Sequence, residues 1–323
     1  MTNAEILAEF PKLRVLVAGD VCLDRWCHYD PALADRSRET GIPRIAVVST
    51  EVTAGAAGTV ANNVAALGGR VAVLGLVGED GFGYELGSAL AARGIASDLL
   101  VRAAGIPTFT YTKLMRCDTG EEDLPRVDFI HARALPVAVD GEMVERLERA
   151  APEFDVILVS DQAETGQGGV VTAAMREALA RIAAAQPETV IWVDSRLRAE
   201  HFRDVIVKPN RSEADAASLR ALGRVDYAEL RRHMRARFLV VTDAGAGALV
   251  VGDGDAVVVP TRTVENPVDI CGAGDSFSAG AAMALKVTGD AVAAARFGNL
   301  VASITIMKKG TGTASPEEIL AAC

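Results

Sequence analysis

The chain has 323 residues, half of them hydrophobic and only 5% aromatic, and it carries a net charge of −10. The length is sufficient for one large α/β domain, and the acidic balance, with no Lys/Arg run longer than two, argues against a nucleic-acid partner. No uncharged apolar stretch approaches the roughly 18 residues of a membrane-spanning helix, so we expect no membrane partner.

The cysteines indicate a reducing compartment. Their number is odd, and their spacing lacks the paired pattern of zinc sites. The N-terminus has the pattern of an acidic amphipathic helix rather than of a secretory signal. We therefore expect a cytoplasmic protein whose thiols are free, at Cys22, Cys27, Cys117, Cys271 and Cys323.

Short β-branched runs alternate with helical stretches along the chain. The runs predict strands at 15–17, 71–74, 156–159, 190–193, 205–207, 239–242 and 256–259. The helical patterns fall at 55–67, 83–93, 140–150, 169–185, 226–236, 275–287 and 290–307. This alternation predicts right-handed βαβ units in a single domain over 1–323, with an open, doubly wound and mostly parallel sheet flanked by helices.

Two segments interrupt the alternation. Residues 24–53 and 103–130 have few helix signals, alternate apolar with polar residues and carry several charges. We expect them to form strands outside the main sheet and to build one small lid, whose edge two subunits could share in a homodimer. Lys113 and Arg126 lie in the second segment, where they either contact a substrate phosphate or cover solvated strand faces.

Polar residues recur where the predicted strands end, the edge at which doubly wound sheets bind ligands. One such Asp could equally be a turn former, but the recurrence at successive strand ends predicts a shared cleft. Its acidic members would hold Mg²⁺ through water or bind sugar hydroxyls. The residues are Gly19, Asp20, Asp24, Ser160, Asp161, Asp194, Lys208, Asn210, Glu213, Thr242 and Asp243.

Residues 266–280 contain the most informative pattern. Gly272, Ala273 and Gly274 leave the backbone bare before an apolar helix, and Asp275 lies in its first turn. Free amides at a helix N-terminus bind anions, and a carboxylate beside them suits a base that deprotonates the attacking hydroxyl. The alternative is a Gly-rich turn with Asp275 as an ordinary N-terminal helix residue. The sequence has no Gly-x-x-x-x-Gly-Lys-Ser/Thr, which excludes a P-loop kinase.

With these strand ends, residues 269–275 (Asp-Ile-Cys-Gly-Ala-Gly-Asp) make the chain resemble the ribokinase-like, or PfkB-type, carbohydrate kinases over nearly its whole length. The resemblance implies the ribokinase-like α/β fold with a small β-strand lid, and ATP with Mg²⁺ as cofactors. It also implies that Asp275 is the catalytic base and that the amides of Gly272, Ala273 and Gly274 form the anion hole.

The same resemblance implies the nucleotide and metal positions. Residues 208–213 match the family's Asn-x-x-Glu motif, and residues 242–245 look like its nucleotide loop. Asn299 and Ala302 resemble positions that line the adenine pocket. The implied nucleotide-binding residues are Lys208, Asn210, Thr242, Gly245, Gly247, Asn299 and Ala302. The implied metal-binding residues are Asn210, Glu213 and Asp194.

Within the family, the strongest resemblance is to the D-glycero-D-manno-heptose-7-phosphate kinase branch. Residues 19–26, 112–114, 126–129 and 309–311 carry it. Such kinases are often fused to a nucleotidyltransferase, and because this sequence stops just after the kinase signature, we expect no second activity from it. The implied substrate-binding residues are Asp20, Asp24, Gly55, Thr59, Asn63, Lys113 and Arg126, of which Asp24 would grip sugar hydroxyls.

Three positions depart from the family pattern. Thr59 stands where the Asn that contacts the sugar is usual, and Asn63 could substitute for it only if the helix shifts. Glu164 stands where the heptose branch has Lys, and we expect it to point to solvent, because like charges about 4 Å apart repel by about 4 kcal/mol at an effective dielectric constant of about 20. Cys271 stands where Thr is frequent, and we interpret it as a small packing residue.

We therefore predict an ATP-dependent carbohydrate kinase that transfers the γ-phosphoryl group to a hydroxyl of a sugar or sugar phosphate, with heptose 7-phosphate as a candidate acceptor. Two alternatives remain. One is a kinase of the same fold that acts on a nucleoside or another alcohol, which the change at Thr59 favours. The other is a non-catalytic sugar or nucleotide sensor, which the loss of Asp275 would have favoured.

Overall fold

The computed structural model describes residues 1–322, and Cys323 lies outside this described part. Strands and helices alternate along most of it. The strands are β1 (Arg14–Gly19), β2 (Val21–Tyr29), β3 (Asp35–Arg36), β4 (Pro43–Arg44), β5 (Val47–Ala56), β6 (Arg70–Leu74), β7 (Leu76–Gly78), β8 (Val101–Ala103), β9 (Thr110–Arg116), β10 (Val127–Phe129), β11 (Val156–Asp161), β12 (Val190–Ser195), β13 (Ile206–Val207), β14 (Leu239–Thr242), β15 (Ala248–Val251) and β16 (Val257–Val259). The helices are α1 (Asn3–Glu9), α2 (Ala57–Ala66), α3 (Gly81–Ala92), α4 (Val137–Ala150), α5 (Ala173–Ala185), α6 (Arg211–Leu222), α7 (Tyr227–Met234), α8 (Ala273–Thr288), α9 (Ala291–Thr305) and α10 (Pro316–Ala321).

The main sheet has the strand order β16-β15-β14-β13-β12-β11-β1-β6 within the described part. The strands from β14 to β6 pair in parallel, whereas β15 and β16 are antiparallel additions at one edge. The chain moves from β1 to β6 on one side and from β11 outward on the other, so the winding reverses between β1 and β11. The prediction of a doubly wound, mostly parallel sheet is confirmed.

Helices cover both faces of the main sheet. In β1 the residues 15–18 are all fully buried, as expected for a strand with a helical layer on each side. Val15 and Val17 pack into a core cluster with α1, α2, α8 and α9. Leu16 and Ala18 face the other way and pack with residues of α4, α5, α6 and α7. The carboxyl edge of the parallel strands is therefore held rigidly from both sides.

Helix α6 is the longest element that the sequence patterns do not predict. Its buried positions are Ala214, Ala217 and Ser218, which are too small to form a clear apolar stripe. A reciprocal capping box fixes its start, since the Asn210 side chain accepts from the Glu213 amide and the Glu213 carboxylate accepts from the Asn210 amide. The cap places both of these side chains at the carboxyl edge of the main sheet.

A second, small sheet has the order β10-β9-β2-β5. Strand β2 pairs antiparallel with β5 and parallel with β9, so both segments singled out as strands outside the main sheet, 24–53 and 103–130, contribute to it. The main chain passes from β1 into strand β2 of this sheet through Gly19. Its φ of +133° favours glycine, and a side chain there would collide with the Ser160 carbonyl. That the small sheet acts as a lid stays a prediction.

Among the helices of residues 1–322, none is long and apolar enough to cross a membrane.

Candidate active site

Two adjoining cavities open at the carboxyl edge of the parallel strands. The larger cavity has a volume of about 550 Å³ and reaches from the ends of β12 and β14 to the N-terminal part of α8 and the last turns of α9. The smaller cavity, of about 200 Å³, is walled by residues of β2 and β9 of the small sheet. The residues that line both cavities form what we call the junction, and they are Gln162, Arg196, Gly272 and Asp275.

The N-terminus of α8 lies at the junction. Gly272 precedes the helix with a φ of +77°, a left-handed conformation that glycine adopts without strain. Of the three amides predicted to form an anion hole, that of Ala273 donates to the Ile270 carbonyl at 3.2 Å. The amides of Gly272 and Gly274 have no hydrogen-bond acceptor among residues 1–322. Two of the three predicted donors are thus available to an anion.

Asp275 lies in the first turn of α8. Burial, and secondarily the carboxylate of Asp194, raise the pKa of Asp275 to about 7, against the opposing influence of Lys208 and Arg196. The Asp275 carboxylate has no hydrogen-bond partner within the described part of the chain. It is therefore a free proton acceptor whose pKa lies near neutral pH, at the point where the two cavities meet.

A buried ion pair lies directly below this helix start. The Lys208 ammonium contacts the Asp194 carboxylate at 2.6 Å, and the two side chains are only 4% and 10% exposed. Burial opposes the charged form of Lys208, but the Asp194 carboxylate outweighs it, so the pKa of Lys208 is raised. A methyl group on Gly274 would lie 3.2 Å from Lys208 Nζ, which places the ammonium against the free amides.

The predicted metal-binding residues Asn210 and Glu213 line the larger cavity but are bonded to each other. Asn210 Oδ1 accepts from the Glu213 amide at 2.9 Å, and Glu213 Oε2 accepts from the Asn210 amide at 2.8 Å. Burial and then the charge of Asp194 raise the pKa of Glu213. Among residues 1–322, no group of three or more His, Cys, Asp or Glu side chains could hold a metal ion by itself.

The far end of the larger cavity brings together the other predicted nucleotide positions. Asn299 on α9 donates to the Val259 carbonyl at 3.0 Å and so ties the helix to β16. Gly247 has a φ of +94°, and a side chain there would collide with the Val259 carbonyl. These residues line a wall together with Thr242, Gly245 and Ala302.

The smaller cavity contains a half-buried carboxylate, that of Asp24. Burial raises the pKa of Asp24 to about 6. A side chain at Gly55 would lie only 2.3 Å from Asp24 Oδ2, so Gly55 makes room for this carboxylate and does not itself line the cavity. Thr59, at the start of α2, does line it, as do Cys271 and Asp269. Cys271 is exposed on the turn before α8, so its interpretation as a packing residue is wrong.

Four cationic side chains line the smaller cavity, and each already has an anionic partner. Arg25 contacts Glu85 at 3.2 Å. Lys113 contacts Glu122 at 3.4 Å, and Arg126 contacts Asp128 at 2.7 Å while stacking over the Tyr111 ring. The fourth cation is Arg196, which contacts Glu164 at 2.5 Å. The Glu164 side chain is 65% exposed, and Arg196 supplies a positive charge close to where the heptose branch has its Lys.

The structure does not bring three predicted substrate-binding residues to the lining of the smaller cavity, which are Gly55, as described above, and Asp20 and Asn63. Asp20 is buried, and its carboxylate accepts from the amides of Gln162, Ala163 and Val170. Asn63 is fully buried in α2, one turn beyond Thr59, where its side chain donates to the Thr59 carbonyl. Asp20 and Asn63 were placed in the site because they follow a strand end or a Gly-rich turn, but the Asp20 carboxylate and the Asn63 NH₂ group bond to backbone groups, and Asn63 Oδ1 is buried away from the cavity.

Sequence reasoning missed the junction residues Gln162 and Arg196. Each lies three residues past the end of a predicted strand and directly after the observed one, Gln162 after β11 and Arg196 after β12, so a search three residues beyond each predicted strand would have found them. Tyr111, which also lines the smaller cavity, had no comparable signal, and Thr311 lies in the segment 309–311 that carried the heptose-branch resemblance but was given no role. The first is brought there by strand pairing and the second by the chain that follows α9.

Comparison with known families agrees with this geometry. The profile described as pfkB family carbohydrate kinase matches residues 21–318. The chain belongs to the pfkB family of carbohydrate kinases. As a pfkB-family kinase it is a phosphotransferase that uses a sugar hydroxyl as acceptor.

Curated relatives of this pfkB-family kinase include longer proteins. The bifunctional protein HldE of Rhodopseudomonas palustris (strain BisB18) is 30% identical over 321 residues, which cover 97% of this chain and 64% of the relative. The HldE protein of Caulobacter vibrioides (strain ATCC 19089 / CIP 103742 / CB 15) is 32% identical over 336 residues, covering 98% and 65%. The chain thus spans less than two thirds of the length of these relatives.

Solved structures of other kinases share the fold. Arabidopsis thaliana ribokinase complexed with ribose and ATP superposes with a TM-score of 0.69 at 16% identity, covering 96% of this chain and 98% of that one. A nucleoside kinase from Methanocaldococcus jannaschii gives a TM-score of 0.64 at 17% identity, covering 96% and 97%. At these identities the likeness shows the ribokinase-like fold alone.

Proposed function

We propose that this pfkB-family kinase uses ATP and transfers its γ-phosphoryl group at the junction, from a nucleotide in the larger cavity to an acceptor in the smaller one. The observation that carries the proposal is the position of Asp275, a proton acceptor with a pKa near 7, on the wall that the two cavities share. Free amides in the same helix turn suit the negative charge of a transferring phosphoryl group.

In the proposed reaction, Asp275 accepts the proton of the acceptor hydroxyl. The hydroxyl oxygen bonds to the γ-phosphorus as the bond from phosphorus to the ADP oxygen breaks. The amides of Gly272 and Gly274 donate hydrogen bonds to the transferring group, and the Lys208 ammonium adds positive charge beneath them. The small sheet excludes water, so that the sugar rather than water is phosphorylated.

Magnesium fits the donor set beside the larger cavity. Asp194, Asn210 and Glu213 offer oxygen atoms, which are the ligands that Mg²⁺ prefers. The raised pKa of Glu213 reflects an electrostatic cost that a divalent cation would offset. Because these side chains already bond to Lys208 or to each other, we propose that they hold the ion largely through water. When bound, Mg²⁺ neutralises charge on the phosphates.

The acceptor that we propose first is a sugar phosphate, heptose 7-phosphate. The sequence resemblance and the HldE relatives support this choice. So does the cationic wall of the smaller cavity, because a substrate phosphate could take the place of the carboxylates that now pair with Lys113, Arg126 and Arg196. Asp24 would then bind sugar hydroxyls.

The size of the smaller cavity favours a sugar over a nucleoside. Its volume of about 200 Å³ lies below the roughly 300–1,000 Å³ of pockets for drug-sized ligands. A nucleoside acceptor would require the small sheet to move outward. We keep a sugar or sugar phosphate as the proposed acceptor class, and nucleosides as the comparison that tests it.

We also propose a homodimer that forms through the small sheet. Its edge strand β5 has ten residues, and Val47, Val48 and Val52 on it are exposed. A long edge strand with exposed apolar side chains is a template for pairing with another strand. We expect light scattering to give twice the chain mass, and Val48→Lys to shift it towards the monomer. A monomeric wild type would contradict the proposal of a homodimer.

The cytoplasm stays the proposed location of the protein.

An assay of ADP release tests the function. It compares heptose 7-phosphate, free ribose and fructose, fructose 6-phosphate and inosine, each with Mg²⁺ and ATP. We expect the highest kcat/KM for heptose 7-phosphate and none above background for inosine. If ATP and the sugars raise the melting temperature but no acceptor gives ADP, the chain is a binding protein and not a kinase. If inosine is preferred, the proposed acceptor class is wrong.

A further inference from the structure

The loop 162–170, which follows β11, supplies Gln162 and Glu164 to the wall of the smaller cavity. Asp20 lines neither cavity, although the family resemblance implies that it binds the substrate. We propose that Asp20 is a positioning residue, whose carboxylate holds this loop in the conformation that binds the acceptor and does not contact the acceptor itself. This inference rests on the proposed function, because it requires that the acceptor occupy the smaller cavity.

The two oxygens of the Asp20 carboxylate fasten opposite ends of the loop. Oδ2 accepts from the Gln162 amide at 2.8 Å and from the Ala163 amide at 2.9 Å, whereas Oδ1 accepts from the Val170 amide at 2.8 Å. The amide of Asp20 itself donates to the Ser160 carbonyl at 2.9 Å, which fixes the anchor against β11. Each end of the loop therefore depends on a different oxygen of one carboxylate.

The loop fits closely around this carboxylate. Gly169 has a φ of +88°, and a methyl group there would lie 2.5 Å from Ala163 Cβ and 3.0 Å from Asp20 Oδ1. Burial, and secondarily the carboxylate of Asp161, raise the pKa of Asp20 to about 6. At pH 7 the group is therefore ionised, which is the form that only accepts and can serve all three amides.

The loop is also tied to the segment that follows β12, at an inner and an outer point. The inner tie is the Arg198 side chain, which donates to the Gly168 carbonyl at 3.1 Å. The outer tie is the exposed pair of Arg196 with Glu164, at 2.5 Å. In the proposed reaction an acceptor phosphate takes Arg196 from Glu164, so the outer tie is lost when the acceptor binds. The anchor at Asp20 and the inner tie then have to keep the loop in place.

The two oxygens make Asp20→Asn an informative change. A carboxamide has nearly the same shape, but its NH₂ group cannot accept, so one end of the loop is released. Asp290 is the matched control, because its Oδ1 alone accepts from the amides of Val292 and Ala293, at 2.8 and 3.1 Å. It caps the start of α9 and lines neither cavity. Asparagine keeps that oxygen and is an equally good cap, so Asp290→Asn should match the wild type.

Two measurements on these variants test the inference. Hydrogen exchange should be faster in Asp20→Asn over the amides of the loop 162–170 and unchanged in α8. ADP release is measured with the acceptor that the wild type prefers in the panel above. A loop that is in its binding conformation for one tenth of the time should raise the acceptor KM about tenfold. The ATP KM and the kcat at saturating acceptor should change by less than about twofold, because a bound acceptor restores the conformation.

Gly169→Ala approaches the same anchor from the loop side and serves if Asp20→Asn folds poorly. It keeps the carboxylate but forces the loop away from it, so we expect the same faster exchange and the same rise in the acceptor KM. If the variants loosen the loop but keep the acceptor KM of Asp290→Asn, or raise the ATP KM equally, Asp20 is only structural. Unchanged exchange also overturns this inference, and in each of these cases the kinase stands. A wild type without activity on any panel member overturns the proposed function and this inference with it.

Discussion

The two cavities are built in different ways. Several polar side chains of the larger cavity bond to each other or to backbone carbonyls, as Lys208 does with Asp194 and Asn299 with the Val259 carbonyl. In the smaller cavity, Lys113, Arg126 and Arg196 pair instead with exposed carboxylates, as Arg196 does with Glu164. The proposed nucleotide side is therefore fixed in advance, whereas the proposed acceptor side can exchange its internal partners for a ligand. In this account, the identity of the substrate is decided in the smaller cavity.

The energetics of the pairs sharpen this contrast. Lys208 and Asp194 are 4% and 10% exposed, and breaking one side of such a buried pair typically costs about 3–5 kcal/mol. Arg196 and Glu164 are 46% and 65% exposed, and pairs of that kind contribute about 0–1 kcal/mol. A substrate phosphate can displace the second kind of partner at little cost but not the first.

The largest effect is expected for Asp275→Asn. Removing the proposed base should lower kcat by about 10²–10⁴-fold and leave the ATP KM within about twofold. Because the pKa of Asp275 is raised to about 7 in the folded state, ionisation of this carboxyl lowers the free energy of unfolding. The loss is complete above pH 7 and absent below pH 4. The variant should therefore melt at or above the wild-type temperature at pH 8. Asp253→Asn, at an exposed site, is the control. Turnover within tenfold of wild type would refute the base assignment.

Lys208→Met tests the fixed side of the comparison. It leaves the Asp194 carboxylate buried without a partner, so the free energy of unfolding should fall by about 3–5 kcal/mol, measured by urea denaturation. We also expect kcat to fall about 100-fold, because a charge beneath the transferring group is lost. The double variant Lys208→Met/Asp194→Asn should regain much of the stability without regaining activity. A double variant with wild-type kcat would show that the pair is only structural.

Lys113→Ala tests the exchangeable side. Loss of a charge-assisted contact should raise the KM for heptose 7-phosphate by about 10–100-fold, with a much smaller effect on the KM for a neutral sugar and none on that for ATP. The free energy of unfolding should change by less than about 1 kcal/mol, because the Lys113–Glu122 pair is exposed. Lys12→Ala removes a similar exposed pair far from the cavities and is the control. An equal rise in KM for phosphorylated and neutral acceptors would contradict a phosphate contact.

The smallest effect is expected for Glu164→Gln. The change frees Arg196 and removes one negative charge from the wall of the smaller cavity, so the KM for heptose 7-phosphate should fall about two- to threefold. Glu145→Gln, at an exposed pair on α4, serves as the control. A rise in the KM would mean that Glu164 holds Arg196 in its binding position instead of competing for it.

The sequence predicts the larger cavity better than the smaller one, for a physical reason. Its walls come from contiguous motifs at 208–213, 242–247 and 269–275, whose residue types fix turns and caps locally. The smaller cavity is assembled from separate segments that only strand pairing and loop anchoring bring together, so Gln162 and Arg196 were missed. For Asp20 and Asn63, the residue type predicts polarity but not which partner satisfies it. The helix α6 was missed because its core face consists of small residues.

The most direct test of the central claim is the pH dependence of single-turnover phosphoryl transfer in the wild type and in Asp275→Asn. Asp275 acts as a base only when ionised, so with its pKa at about 7 the wild-type rate should fall about tenfold per pH unit below pH 7 and level off above pH 8. We predict that the variant is slow and loses this dependence. A variant that keeps the wild-type midpoint near pH 7 would contradict the claim that Asp275 accepts the proton at the junction of the two cavities.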